Sequence, residues 1–416
     1  MRILIDNSGY HLLNLGDIAM LQMTVSRVKA LWPEASIGVI TYSNERLEKY
    51  CPGTSPVGSD FLENPIISGL PSKASFAMVQ FHKIILPQLL SIGRYGRKKD
   101  HGSNKDILPE SLSLFDALVG ADLVIASGGG YITDTFKLHG IGVMNILSYA
   151  IHMGKPTAMF GQGIGPLGSK WFIQKAKSIL PKVDLIALRE GRFGPELLQS
   201  LGVETDKIIV TGDDTIEMAY SVRAPKLGEA LGINLRIAHY SGVNQQIADK
   251  IKTVIQNGAR QHNAQIISVP ILLYAKDSDS KAIKTLVASS DQLEYQENID
   301  TPIQIIQQIG RCRVIVTGSY HAAVFALAQG VPAVCLTNSA YYDYKFAGLA
   351  DLFGDSCHIV SIGDLFSNDK LSNAINQAWE TADLMYQKTL SAANKQIKLS
   401  IDAYRRFFKI VNNGKF

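Results

Sequence analysis

Between Arg313 and Leu336 the chain reads RVIVTGSYHAAVFALAQGVPAVCL, and a stretch of this pattern admits few folds. Val314–Val316 is a short β-branched run, the mark of a buried strand. Thr317-Gly318-Ser319 interrupts it with a tight turn, and Ser319 is placed to cap a helix. Residues 321–329 read as that helix, with Ala322, Phe325 and Ala326 on its inner face. Gly330 ends it and Pro332 lies just beyond. Residues 333–336 form a second strand. Strand, turn, helix, strand is the unit of an α/β domain, which opens a ligand crevice at the carboxyl end of its first strand. The turn puts His321 at a helix N-terminus, where backbone N–H groups favour an anion. A lone histidine is ordinarily a packed or capped one. The Gly-Ser-Tyr-His turn, set between a buried strand and a helix of small residues, argues for a functional one.

The same unit recurs along the chain. Ile3-Leu4-Ile5 is an apolar strand that ends in Asp6-Asn7-Ser8-Gly9 and a loop carrying Asn14-Leu15-Gly16-Asp17. A helix over 18–31 and a strand over 37–40 complete a βαβ opening. Gly16 lets the backbone come close to a ligand, and Asp17 reads either as a helix cap or as a site residue. Residues 121–126 form another strand, which runs into Ser127-Gly128-Gly129-Gly130, then Tyr131 and Asp134, with a helical segment over 141–152. This glycine run lacks the lysine of a P-loop and the spacing of a dinucleotide fingerprint, so both nucleotide motifs are rejected. A strand over 157–160 ends in Gly161-Gln162-Gly163-Ile164-Gly165-Pro166. The next, over 185–188, leads to Arg189-Glu190, a helix over 193–201 and a strand over 208–210 that ends in Thr211-Gly212-Asp213-Asp214. Parallel strands of this kind put their loops on one edge. There Arg189, planar and permanently charged, reads either as an anion clamp or as the ion-pair partner of Glu190 or Asp213.

At 416 residues the chain exceeds one ordinary domain. Periodicity is lost around SVRAPKLG (221–228), which places a first α/β domain over 1–222 and a second over 223–380. The second reopens with a strand over 231–236, followed by a helix over 244–262 and a strand over 266–269. A loop over 270–279, helices over 280–288 and 302–309 and the unit at Val314 complete it. A C-terminal helical segment over 381–416 can return to the first domain. The net charge of +4 gives no argument for nucleic acid. The 4 cysteines are scattered without a CxxC pair and read as buried thiols in a reducing compartment. His139 and His152 are not at ligand spacing and no HExxH motif occurs, so no metal is assigned. The chain opens on a strand rather than a signal peptide and contains no run of about 18 apolar residues, so the expected location is the cytoplasm. Residues 76–99, apolar and ending in Arg94, Arg97, Lys98 and Lys99, read either as a packed helix with a solvated basic end or as a contact with an anionic membrane surface.

Taken in order, Asn14-Leu15-Gly16-Asp17, Ser127-Gly128-Gly129-Gly130 with Asp134, Gly161-Gln162-Gly163-Ile164-Gly165-Pro166, Leu188-Arg189-Glu190, Thr211-Gly212-Asp213-Asp214 and His321-Ala322 through Gly330-Val331-Pro332 resemble the motifs of the polysaccharide pyruvyl transferase family over roughly residues 1 to 350. The resemblance implies an α/β fold of two Rossmann-like domains facing across a cleft, GT-B-like, with the acceptor on the first domain, the donor on the second, and a C-terminal helical segment. It implies transfer of a pyruvyl group from phosphoenolpyruvate, a donor substrate rather than a cofactor, to two hydroxyls of a cell-envelope or exopolysaccharide sugar. On this pattern His321, Asp17 and Asp134 are the candidate catalytic residues. Asn14, Gly16, Gly128, Gly129, Gly130, Gln162, Arg189, Arg236, Ser319, Tyr320 and Lys345 are candidate substrate contacts. Family members carry an arginine two positions before the histidine. Ser319 stands there in this chain, leaving Arg189, Arg236 and Lys345 to supply charge. The alternative is a glycosyltransferase of the same build with a nucleotide-sugar donor. There His321 and its helix N-terminus would hold the diphosphate and Asp17 or Asp134 would act as base. The partners implied are a sugar or lipid-linked oligosaccharide acceptor and, through residues 76–99, the inner membrane surface.

Overall fold

A computed structural model describes residues 1–58, 113–235, 245–273, 293–294, 299–363 and 369–413. Its strands form two sheets. The first contains β1 (Arg2–Asp6), β2 (Ser36–Ile40), β3 (Ser55–Val57), β4 (Leu123–Ala126), β5 (Gly129–Ile132), β6 (Thr157–Ile164), β7 (Leu185–Leu188) and β8 (Ile208–Val210). They lie in the order β3-β2-β1-β4-β6-β7-β8, with β5 paired to β6 off that path. The second contains β9 (Ala230–Asn234), β10 (Ile266–Ser268), β11 (Leu293–Glu294), β12 (Cys312–Thr317), β13 (Ala333–Thr337) and β14 (Cys357–Ser361), in the order β11-β10-β9-β12-β13-β14. Every pairing between these strands is parallel. The strand sequences explain this: LVIA, LIAL and AVCLT are buried along their whole length, as strands covered on both faces must be.

Two helices that meet near the cavity are largely buried. Leu15–Leu31 buries Ile18, Ala19, Met20, Leu21, Val25 and Val28 around its circumference. Tyr320–Ala328, sequence YHAAVFALA, is buried at every position. The small side chains of the second allow neighbouring helices to approach it from several directions. The four cysteines are all buried thiols. No helix among the described residues is long and apolar enough to cross a membrane.

A single 44-residue helix, Lys370–Asn413, packs along both halves. It starts at Lys370, so residues 370–380, placed with the second domain on sequence, are continuous with the terminal helix. Its far end is anchored in the first half. Tyr404 stacks on Phe160 with ring centroids 3.7 Å apart and donates to Asp214 Oδ2 at 2.9 Å. Asp214 Oδ1 also receives Arg27 Nη1 at 2.7 Å and Ser400 Oγ at 2.5 Å.

Two local expectations change. The glycine run after β4 is not a loop: Gly129 and Gly130 open β5, and Gly129 pairs with Gln162. Likewise β6 runs past Phe160 through Gly161-Gln162-Gly163 to Ile164. In both places the sheet's hydrogen bonding overrides the low strand propensity of glycine. Arg236, residues 76–99 and residues 280–288 lie outside the described residues.

Candidate active site

The carboxyl ends of the first sheet face the turn after β12, and a cavity of about 410 Å³ lies between them. The first half contributes Ser8, Asn14, Asp17, Gly130 and Arg189 to its wall; the second contributes Leu272, Ser319, Tyr320, His321, Tyr341 and Lys345. One side is closed by backbone bonds between the halves. Leu15 N donates to Ile271 O at 2.9 Å, and Leu273 N donates to Leu13 O at 2.8 Å. Asn14 caps the helix Leu15–Leu31, its Oδ1 accepting from Gly16 N at 2.9 Å and Asp17 N at 3.3 Å. With Asn14 as the cap, Asp17 is not one; it sits in the first helical turn and lines the cavity.

Arg189 leaves the end of β7 and is only 2% exposed. Its guanidinium carbon lies 4.1 Å from the centroid of the Tyr320 ring, and its Nη2 has no hydrogen-bond partner. Burial works against its charge, but Tyr320, Asp213, Tyr341 and Asp17 together raise its pKa, so the cation persists. Lys345, on the helix Ala340–Phe353, reaches the same place, with Nζ 5.6 Å from the Tyr320 centroid. It donates to the Tyr341 hydroxyl, which in turn donates to Gly130 O at 3.2 Å. A Cβ added at Gly130 would lie 2.5 Å from Arg189 Nη2 and 2.9 Å from Lys345 Nζ. The two cations therefore converge on one glycine.

Asp213 joins the arginine to the histidine. Its Oδ1 accepts from Thr215 N at 3.0 Å and Thr215 Oγ1 at 2.6 Å. Its Oδ2 lies 3.6 Å from Arg189 Nη1 and 3.9 Å from His321 Nε2. A buried carboxylate thus stands between a cation from β7 and the histidine after β12, within ion-pair distance of both. On sequence alone Asp213 reads only as a loop residue or ion-pair partner; the signal for more is its place at the end of β8, beside Arg189 at the end of β7.

The floor of the cavity holds a second polar group not assigned from sequence. His139 lies between Tyr10 and Tyr131, with ring centroids 4.8 and 5.0 Å away. Burial pushes its pKa down to about 4, partly opposed by a hydrogen bond to the Asn7 backbone. Nearby Asp6 is pushed up to about 7 by burial, although Tyr10 OH at 2.8 Å and the Asn7 backbone pull it down.

Several expected contacts have other work. Asp134 is exposed and does not line the cavity; its Oδ2 accepts from Gly168 N and, at 3.1 Å, from Ser169 N, holding the turn before the next helix. Gln162 is buried, with Nε2 donating to Ser127 O at 2.8 Å and to Tyr131 OH at 2.9 Å, so it braces the sheet edge. A Cβ at Gly128 would meet Met20 Sδ at 2.6 Å, and one at Gly129 the Tyr131 ring at 2.3 Å; these glycines serve packing behind the wall. Gly16 faces His321 rather than open space, since a Cβ there would fall 2.1 Å from His321 Cγ. Ser319 stands at the N-cap position without a side-chain capping bond; its N donates instead to Thr317 Oγ1 at 2.9 Å.

The polysaccharide pyruvyl transferase family profile matches residues 14–340. The amylovoran biosynthesis protein AmsJ of Erwinia amylovora is 25% identical over 275 residues, which are 59% of this chain and 63% of that protein. The chain therefore spans less than two thirds of the length of that curated relative. Among solved structures, the UDP-GlcNAc 2-epimerase of Neisseria meningitidis superposes with a TM-score of 0.56 at 12% identity, covering 99% of this chain and 100% of its own. A glycosyltransferase from Rickettsia africae gives 0.56 at 11%, covering 100% and 99%. At such identities the likeness is one of fold, a GT-B-like pair of α/β halves. Since the matched stretch runs from Asn14 through the His321 turn, and so covers most of the chain, the chain belongs to the polysaccharide pyruvyl transferase family.

Proposed function

We propose that the cavity transfers a pyruvyl group from phosphoenolpyruvate to two hydroxyls of a sugar in a polysaccharide precursor, free or lipid-linked. The observation that supports this most is the convergence of Arg189 and Lys345 on Gly130 beside His321. Phosphoenolpyruvate carries a phosphate and a carboxylate close together, and two cations converging in one hollow suit that pair. His321 gives a proton to the methylene carbon, which makes C2 cationic. One sugar hydroxyl attacks C2 and gives its proton to Asp17, on the same wall, which passes it to the departing phosphate. The second hydroxyl adds to close the ketal and its proton restores His321, while Asp213 lies beside both His321 and Arg189. The charge that family members place at the position of Ser319 is supplied from other elements, because Arg189 and Lys345 both lie over the ring of its neighbour Tyr320.

The second reading is a nucleotide-sugar glycosyltransferase, favoured by Ser319 itself, since a turn without arginine leaves the helix N-terminus at Tyr320 open to a diphosphate. Thermal denaturation with phosphoenolpyruvate, with UDP and with inorganic phosphate separates the two. Phosphoenolpyruvate at a hundred times its Kd should stabilise the protein by about 2.7 kcal/mol. Arg189→Met should remove that shift, and His321→Ala should lower the rate of phosphate release with a suitable acceptor by about two to four powers of ten. Stabilisation by UDP alone would move the assignment to the glycosyltransferase.

A further inference from the structure

Outside the cavity, the described surface carries a place where a tryptophan and a leucine are exposed among lysines. Leu138 is 83% exposed and Trp171 48%, on the adjacent helices Lys137–His152 and Lys170–Ile179. Trp171 has an ammonium group on either side: Lys137 Nζ is 5.7 Å and Lys175 Nζ 5.6 Å from its ring centroid. Lys170 and Lys177 are exposed on the same helix as the tryptophan. From residue 135 to residue 183 the sequence contains Lys137, Lys155, Lys170, Lys175, Lys177 and Lys182 and no Asp, Glu or Arg. The nearest carboxylate before that stretch, Asp134, is taken up by two backbone N–H groups. The face borders the cavity, because Phe136 lines the cavity and its ring meets that of Tyr341 at 5.4 Å.

We propose that the face carrying Leu138 and Trp171, ringed by Lys137, Lys170, Lys175 and Lys177, docks on an anionic phospholipid surface and brings the Phe136 rim of the cavity to it. The composition selects this occupant. Protein interfaces are depleted in lysine and enriched in arginine at their centres, whereas this stretch has lysine alone. An indole flanked by ammonium groups sits well at a headgroup boundary, with its apolar body inward and the charges at the phosphates. Each lysine near such a surface adds attraction that salt weakens. Docking of this kind does not depend on which donor the cavity takes, and its test involves no donor.

Sedimentation with vesicles of phosphatidylcholine, and of phosphatidylcholine mixed with phosphatidylglycerol, tests it on the full chain. The protein should pellet with the mixed vesicles, less so at high salt, and poorly with the neutral ones. Leu138→Glu with Trp171→Glu, and separately Lys170→Glu with Lys177→Glu, should each weaken binding at least about tenfold. All four positions are outside the cavity wall, so the melting temperature should stay close to that of the parent. Equal pelleting with both vesicle types, or undiminished binding by the variants, overturns the proposal. Self-association that Trp171→Glu abolishes, without vesicle binding, overturns it in favour of a second copy of the chain.

Discussion

Asp6 ends β1 with Oδ1 accepting from Tyr10 and Oδ2 buried without a hydrogen-bond partner. Burial lifts its pKa from the ordinary 3.8 to about 7. An acid held higher in the folded state than in the unfolded one binds its proton more tightly when folded. Stability therefore falls as pH rises through the window from about 4 to about 7 and is flat above it. The rise corresponds to at most on the order of 4 kcal/mol. Asp6→Asn keeps an acceptor for Tyr10 and removes the charge, so denaturant unfolding should show a flatter dependence on pH across that window and a more stable protein at its upper end. Equal slopes in the two proteins would show that another group titrates there. Arg189 and His321 were legible at this scale because their residue types and turn positions already suggest anion binding and proton transfer. Asp213 was not: a carboxylate at a strand end reads the same whether it caps, solvates or bridges.

Glycines distinguish the elements. Gly16 lets the helix Leu15–Leu31 pass against His321, and a Cβ there would sit 2.1 Å from Cγ. Both Gly16 and His321 are buried where the helices meet, so Gly16→Ala overpacks the junction at a cost of about 1–3 kcal/mol. It should also displace His321 and cut turnover by at least about tenfold, as a misplaced catalytic group does. Gly318 lies in the turn that most resembles a ligand loop, yet a Cβ there meets nothing within 4 Å. Gly318→Ala should leave both melting temperature and turnover close to the parent, and a matching loss at the two sites would contradict the difference in packing. The sequence pointed to Gly16 as a site of close backbone approach and to Gly318 as part of a tight turn. Only the packing separates the one that faces a side chain from the one that faces open space.

At the scale of the molecule, the terminal helix packs along both halves and is tied to the first through a buried ion pair. Arg27 is 8% exposed and bridges Asp214 at 2.7 Å and Glu217 at 2.6 Å, with Ser400 and Tyr404 of the terminal helix completing the set around Asp214. Burial works against the charge of Arg27, and Asp214, Tyr404 and Glu217 more than offset it, raising its pKa. Arg27→Met leaves a buried carboxylate without its cation and should cost about 3–5 kcal/mol. By contrast, Asp383→Ala removes an ion pair whose carboxylate is 74% exposed and should cost less than about 1 kcal/mol. Guanidinium unfolding of the two variants checks the difference; similar losses would show that the helix is held by its apolar contacts rather than by this network.

The recurrence of short buried strands, polar or glycine turns and succeeding helices was enough to specify parallel sheets with their loops on one edge, because that information is local and periodic. It also brought Asn14, Asp17, Arg189, Tyr320 and His321 forward, each by residue type at the end of a strand or the start of a helix. Which of the polar strand-end residues look into the hollow was decided only when distant segments met. Asp134 and Gln162 turn to backbone groups, Asp213 turns to both Arg189 and His321, and Lys345 arrives from a helix whose sequence carries no ligand-loop pattern. A side chain's direction follows from the nearest unpaired partner in space. For these residues that partner lies tens to hundreds of positions away along the chain.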